Sequence, residues 1–156
     1  MRGGTSAWGR PPDDRPLYVG KAEASLVTRD LRTHLGDGRT GSSTVRRSFA
    51  ALLHDSLDLT AQPSNPHKPE RPANYGLAPP GDQRLTKWMR DRLTLAVWPK
   101  ALGIDLADVE RALLESWLPA LNLQGVNTPW SAQLSAARKA MAGEARRWAR
   151  ERGFAI

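Results

Sequence analysis

The sequence predicts an α/β domain: a small β-sheet flanked by helices, with a proline-rich insertion and an added basic helix at the C-terminal end. Three observations carry this. Two short runs, PLYVG (16–20) and LTLAVWP (93–99), are rich in the branched and aromatic residues that suit strands. Five other stretches space their apolar residues as helices do. The 156-residue chain is 40% hydrophobic, enough for one buried core.

The elements follow in order. Residues 1–15, punctuated by Gly, Pro and Asp, read as an irregular arm in which TSAW (5–8) is a remnant of a first strand. PLYVG is the first full strand. Ser25 can cap a helix running to Leu35. GDGRTGSS (36–43) is a loop, and Ser43 or Thr44 starts a second helix with Val45, Phe49, Leu52 and Leu53 on its apolar stripe. Residues 58–81 hold six of the chain's 12 prolines and read as an ordered excursion anchored by Tyr75 and Leu77. A short helix over 82–92 leads into LTLAVWP, which alternates as a strand should. LADVERALLESWL (106–118) is amphipathic and ends at Pro119, and 131–152 is a long basic helix. The expected organisation is an arm (1–15), a domain (16–125) with its insertion at 58–81, and the basic helix (126–156) resting on that domain.

Charge and composition narrow the function. The net charge is +7, supplied mostly by arginine, whose planar fork suits phosphate. No apolar run reaches the ~20 residues of a membrane span. The first residues lack the apolar core of an export signal. The chain has no cysteine, which removes disulfides, zinc thiolates and cysteine nucleophiles and leans toward the cytoplasm. No Gly-rich phosphate loop, HExxH or nucleophile elbow occurs, and the three histidines are scattered. A metal site here must rely on carboxylate oxygen, which favours Mg2+ or Mn2+.

One constellation remains. Tyr18 ends a strand beside Gly20, whose missing side chain lets a phosphate approach. Lys21 follows as a mobile cation. Arg29, a turn into the next helix, can grip a phosphate oxygen with two donors. Arg32, Arg39, Arg46 and Arg47 extend this positive surface as nucleic-acid-binding residues. Two carboxylates on the 106–118 helix, Glu110 and Glu115, could complete the set. Glu115 reads more readily as an ordinary solvent-facing helix residue, and the phrase Pro119-Ala120-Leu121-Asn122 follows the pair.

In this order, YVGK (18–21), SLVTR (25–29), Glu110 and PALN (119–122), the chain resembles the GIY-YIG nuclease superfamily from Leu17 to Asn122. It departs from the family at the first signature, where TSAW stands in place of a GIY or GVY strand. The spacing from Arg29 to His34 is also one residue longer than the family's usual phrase. The resemblance implies a metal-dependent endonuclease that hydrolyses nucleic-acid phosphodiesters, with DNA favoured over RNA. It implies that Tyr18, Lys21, Arg29 and Glu110 are catalytic, that Glu110 holds Mg2+ or Mn2+, and that Gly20, His34 and Asn122 support them. Tyr18, aided by Lys21, would position or deprotonate the attacking water while Arg29 braces the non-bridging oxygens. The alternative is an inactive GIY-YIG-derived module that binds nucleic acid or a protein.

Overall fold

The computed structural model describes residues 15–22, 34–65, 74–100 and 102–154. Among them lie four α-helices and one two-stranded sheet, the α/β arrangement expected. A 3-10 turn (Thr40–Ser42) leads into α1 (Thr44–Leu52), with β1 (Ala61–Gln62) and β2 (Gly76–Leu77) next. α2 (Pro79–Arg92), α3 (Leu106–Trp117) and α4 (Ser131–Glu151) follow. None of these helices is long and apolar enough to cross a membrane.

Local chemistry explains where each helix starts. The Ser43 hydroxyl accepts from the Arg46 amide and caps α1. The Asp105 carboxylate does the same for α3, accepting from the Ala107 amide at 2.7 Å. Pro79 opens α2 at a position where no amide is needed.

β1 and β2 pair antiparallel, Ala61 with Leu77 and Gln62 with Gly76. The proline-rich excursion is therefore a structural hub. Leu59, Ala61, Tyr75 and Leu77 are buried with Val45 and Phe49 of α1, Leu85 and Met89 of α2, and Leu134, Met141 and Ala145 of α4. Small residues on α4 let it lie close over α1 and β1. There Glu144 accepts from the Ala61 amide at 3.0 Å, closing an edge donor of β1. The same carboxylate meets His54 Nε2 at 3.1 Å. The 3-10 turn passes so close to the excursion that a Cβ added at Gly41 would meet Ser64 Cβ at 2.4 Å. Glycine is needed there for space.

Two strand expectations are corrected. PLYVG is extended but forms no ladder among the described residues. It is held there by a backbone bond from the Leu121 amide to Leu17 O (2.9 Å) and by a side-chain clasp from Asn122. LTLAVWP is also irregular: no strand includes it, and Leu95, Val97 and Trp98 are exposed. A strand is a paired object, and among the described residues no neighbouring backbone lies beside this segment to complete the pair. The expected strand remnant at 5–8 and most of the expected 25–35 helix fall outside the described residues.

Candidate active site

The closing phrase of α3 sets up the site. α3 ends at Leu118, whose left-handed backbone (φ 47°, ψ 57°) turns the chain sharply into buried Pro119. Such a conformation costs a non-glycine residue about 1–2 kcal/mol. The turn delivers Leu121 and Asn122 against the 17–19 segment. Asn122 is buried and uses both ends of its amide there. Its Oδ1 accepts from the Val19 amide at 2.9 Å, and its Nδ2 donates to Val19 O at 2.8 Å. A side-chain amide thus reproduces the donor–acceptor pair that a neighbouring strand would present.

With that segment fixed, Tyr18 and Glu110 line one cleft of about 690 Å³, together with Asn122, Arg47 and Arg138. Glu110 is half-buried on α3, and its Oε1 accepts from the Lys21 amide at 3.3 Å across 89 residues of sequence. Among the described residues that is its one hydrogen bond, so the second oxygen is uncommitted on a side chain that lines the cleft. Glu115, five residues on, is exposed and lines no part of this cleft. His34 lies edge-on to Tyr18, ring centroids 6.0 Å apart. Its Nδ1 meets the Ser43 hydroxyl at 2.7 Å, tying it to the start of α1. Tyr18, Glu110 and Asn122, scattered over more than a hundred positions, therefore line one opening, with the Lys21 amide bonded to Glu110 and the His34 ring against Tyr18. Arg29 and Arg32 lie outside the described residues.

The remaining arginines divide. Arg39 is exposed and borders a different recess, between the 3-10 turn and the start of α2. Arg46 corrects an expectation: it is fully buried and cannot reach a nucleic-acid backbone. Its guanidinium pairs with Asp82 at 2.9 Å and also donates to Thr40, Thr86 and the carbonyls of His34 and Asp82. Burial pushes its pKa down, and the Asp82 carboxylate opposes that push. The same carboxylate accepts from the Gly38 amide and the Thr40 hydroxyl, both at 2.5 Å. A buried cation so fully engaged serves the fold.

Arg47 faces the cleft instead. It donates to Gly41 O at 2.6 Å and Thr44 Oγ1 at 3.3 Å, while its buried Nε has no acceptor. Burial, then the charge of Arg138, lower its pKa. Arg138 is the residue that sequence reasoning missed as a neighbour of Glu110. In sequence it is one cation among several on a basic helix, and only the docking of α4 against α1 separates it from them. At the far end of α4, Arg152 stacks on Trp148 with its guanidinium carbon 4.1 Å from the ring centroid.

The donor set around Glu110 is hard and oxygen-based. One uncommitted carboxylate oxygen in an open cleft suits an octahedral divalent ion that keeps water and phosphate among its ligands. The described residues contain no group of three or more acidic or imidazole ligands, so they offer no closed protein cage for such an ion.

No curated protein and no solved structure matches the chain. A family model does: the GIY-YIG catalytic domain, over residues 13–140, which takes in the 17–22 segment, Glu110, the Asn122 clasp and the first half of α4. The chain belongs to the GIY-YIG family, whose catalytic domain carries nuclease-type activity.

Proposed function

We propose that this chain is a divalent-metal-dependent endonuclease acting on DNA, with residues 16–125 as the nuclease domain and 126–156 as a helix braced against it. The observation that carries the reading is the meeting of Tyr18 and Glu110 in one cleft, with Glu110 tied to the Lys21 amide.

Each group then has a task. Glu110 holds Mg2+ or Mn2+ through its uncommitted oxygen, and the ion when bound supplies Lewis-acid stabilisation to the phosphate and the leaving oxygen. The Tyr18 oxygen orients the attacking water and, as the phenolate, would take up its proton to become the phenol, and His34 packs against the ring so that this oxygen keeps one direction. Lys21 adds positive charge at the mouth, and Arg29 braces the non-bridging oxygens. Gly20 leaves room for the strand. Asn122 acts through the backbone, holding Val19 and thereby Tyr18 in place. Arg39 and Arg32 are flanking phosphate contacts.

The second reading, an inactive nucleic-acid-binding relative, draws on the unladdered 93–99 segment, because an incomplete sheet would leave the cleft less rigid. One assay separates the two. Supercoiled plasmid is incubated with the protein in Mg2+, in Mn2+ and in chelator, with Glu110→Gln, Tyr18→Phe and Arg29→Ala in parallel. We expect metal-dependent nicking that falls by about 10²–10³ in each variant, the usual effect of removing one group that meets transition-state charge. Absence of nicking under every condition, or equal cutting by all four proteins, would sink the catalytic reading. A labelled RNA duplex run beside the DNA decides the substrate.

A further inference from the structure

We propose that Arg47 and Arg138 form a subsite for a backbone phosphate of the nucleic acid, beside the phosphate that is cut. The identity of the ligand rests on the nuclease reading above. The existence of an anion site rests on the arginines themselves.

Both side chains line the same cleft as Glu110, and they come from different helices, α1 and α4. Arg47 is only 8% exposed, and its Nε lacks an acceptor. Neither arginine takes part in any ion pair among the described residues. Two guanidiniums near enough to repel each other, one of them buried, are an unfavourable arrangement unless something negative joins them. Burial and the charge of Arg138 both weaken Arg47's hold on its proton, the mark of a cation without its counter-charge. Arg46, the preceding residue, is supplied with Asp82. The bonds from Arg47 to Gly41 O and Thr44 Oγ1 fix the guanidinium in advance of any ligand. The cleft, about 690 Å³, is larger than one phosphate group fills and suits a nucleotide unit with phosphates at both ends. A phosphate between the two forks would receive donors from both, the arrangement arginine favours.

Thermal unfolding in inorganic phosphate, against chloride at equal ionic strength, tests the anion site. The wild type should gain about 3 °C at phosphate well above its dissociation constant. Arg138→Gln should lose that gain, and Lys87→Gln, the same charge change on an exposed part of α2, should keep it. Arg138 is only half-buried, so its variant should fold even if Arg47 variants do not. No phosphate-specific gain in the wild type, or an equal gain in Arg138→Gln, would overturn the subsite. This holds whether or not the protein cuts DNA. Steady-state cleavage places the site. Arg138→Gln should raise KM about tenfold with kcat altered less than about twofold, and Arg138→Lys should restore part of the loss. Binding of an uncleavable duplex should show a salt dependence weaker by about one phosphate contact. A fall confined to kcat would instead put Arg138 at the reacting phosphate and refute a neighbouring subsite.

Discussion

Arg46 and Arg47 are adjacent in sequence and share one helix, but they belong to two different regions. Arg46 points into the wall between α1 and α2, where Asp82, Thr40 and Thr86 consume its donors and no solvent reaches it. Arg47, about 100° further round the helix, points toward α4 and the cleft, where it meets the charge of Arg138 and, among the described residues, no carboxylate pairs with it. Both are buried cations. The first has its counter-charge within the protein and stabilises a junction; the second has none among the described residues, the arrangement on which the proposed phosphate subsite rests. Burial alone therefore says little about whether an arginine serves structure or function. The location of the opposing charge decides.

The comparison breaks most visibly at Asp82. Asp82→Ala leaves Arg46 buried and alone, which should cost about 3–5 kcal/mol of stability. Urea unfolding monitored by circular dichroism measures it. A loss below about 1 kcal/mol would mean that the sealed side is not sealed. Next comes Tyr75, which is fully buried under α1 and donates to Arg47 O at 2.6 Å. Tyr75→Phe removes the second donor from a carbonyl that keeps its helical bond and should cost about 0.5–1.5 kcal/mol. Burial also raises the Tyr75 pKa above the ordinary tyrosine value of 10.0. The folded state therefore resists losing this proton while the unfolded chain gives it up. That contribution is complete below about pH 10 and is lost as the pH climbs from there toward the raised folded value. Wild type should lose stability through this alkaline window, and Tyr75→Phe should lose less over the same range. Equal slopes for the two proteins would contradict the assignment. The smallest effect is expected at Leu118, which is half-exposed in a left-handed conformation. Leu118→Gly should raise stability by up to about 1 kcal/mol by removing backbone strain. A marked loss would show that its side chain matters more than its torsion.

Much of this was legible in the sequence, and the failures have one physical origin. The start of α1 is local chemistry: Ser43 sits where a cap is needed and acts as one. The anchoring roles of Tyr75 and Leu77 could be read because large apolar side chains in a proline-rich stretch have few other uses, and both are buried. Ordered phrases placed Tyr18, Glu110 and Asn122 together, and they do line one cleft. What could not be read depends on pairs. LTLAVWP has every local feature of a strand, but pairing needs a second backbone, and that is not a property of the segment. Arg46 and Arg47 look alike until Asp82, 36 residues away, is brought to one of them. Arg138 was hidden among its neighbours on α4 for the same reason.

The Asn122 clasp has a further consequence. Both amide ends grip Val19, while the neighbouring Leu121 amide grips Leu17, so the residue between them is held on either side by a single loop. That loop is the continuation of the helix that carries Glu110. The phenol and the carboxylate are thus mounted on one bracket, and any tilt of α3 moves both in the same direction. Alignment of the two groups can survive breathing of the surrounding chain, and it can fail through damage to one amide that touches neither of them.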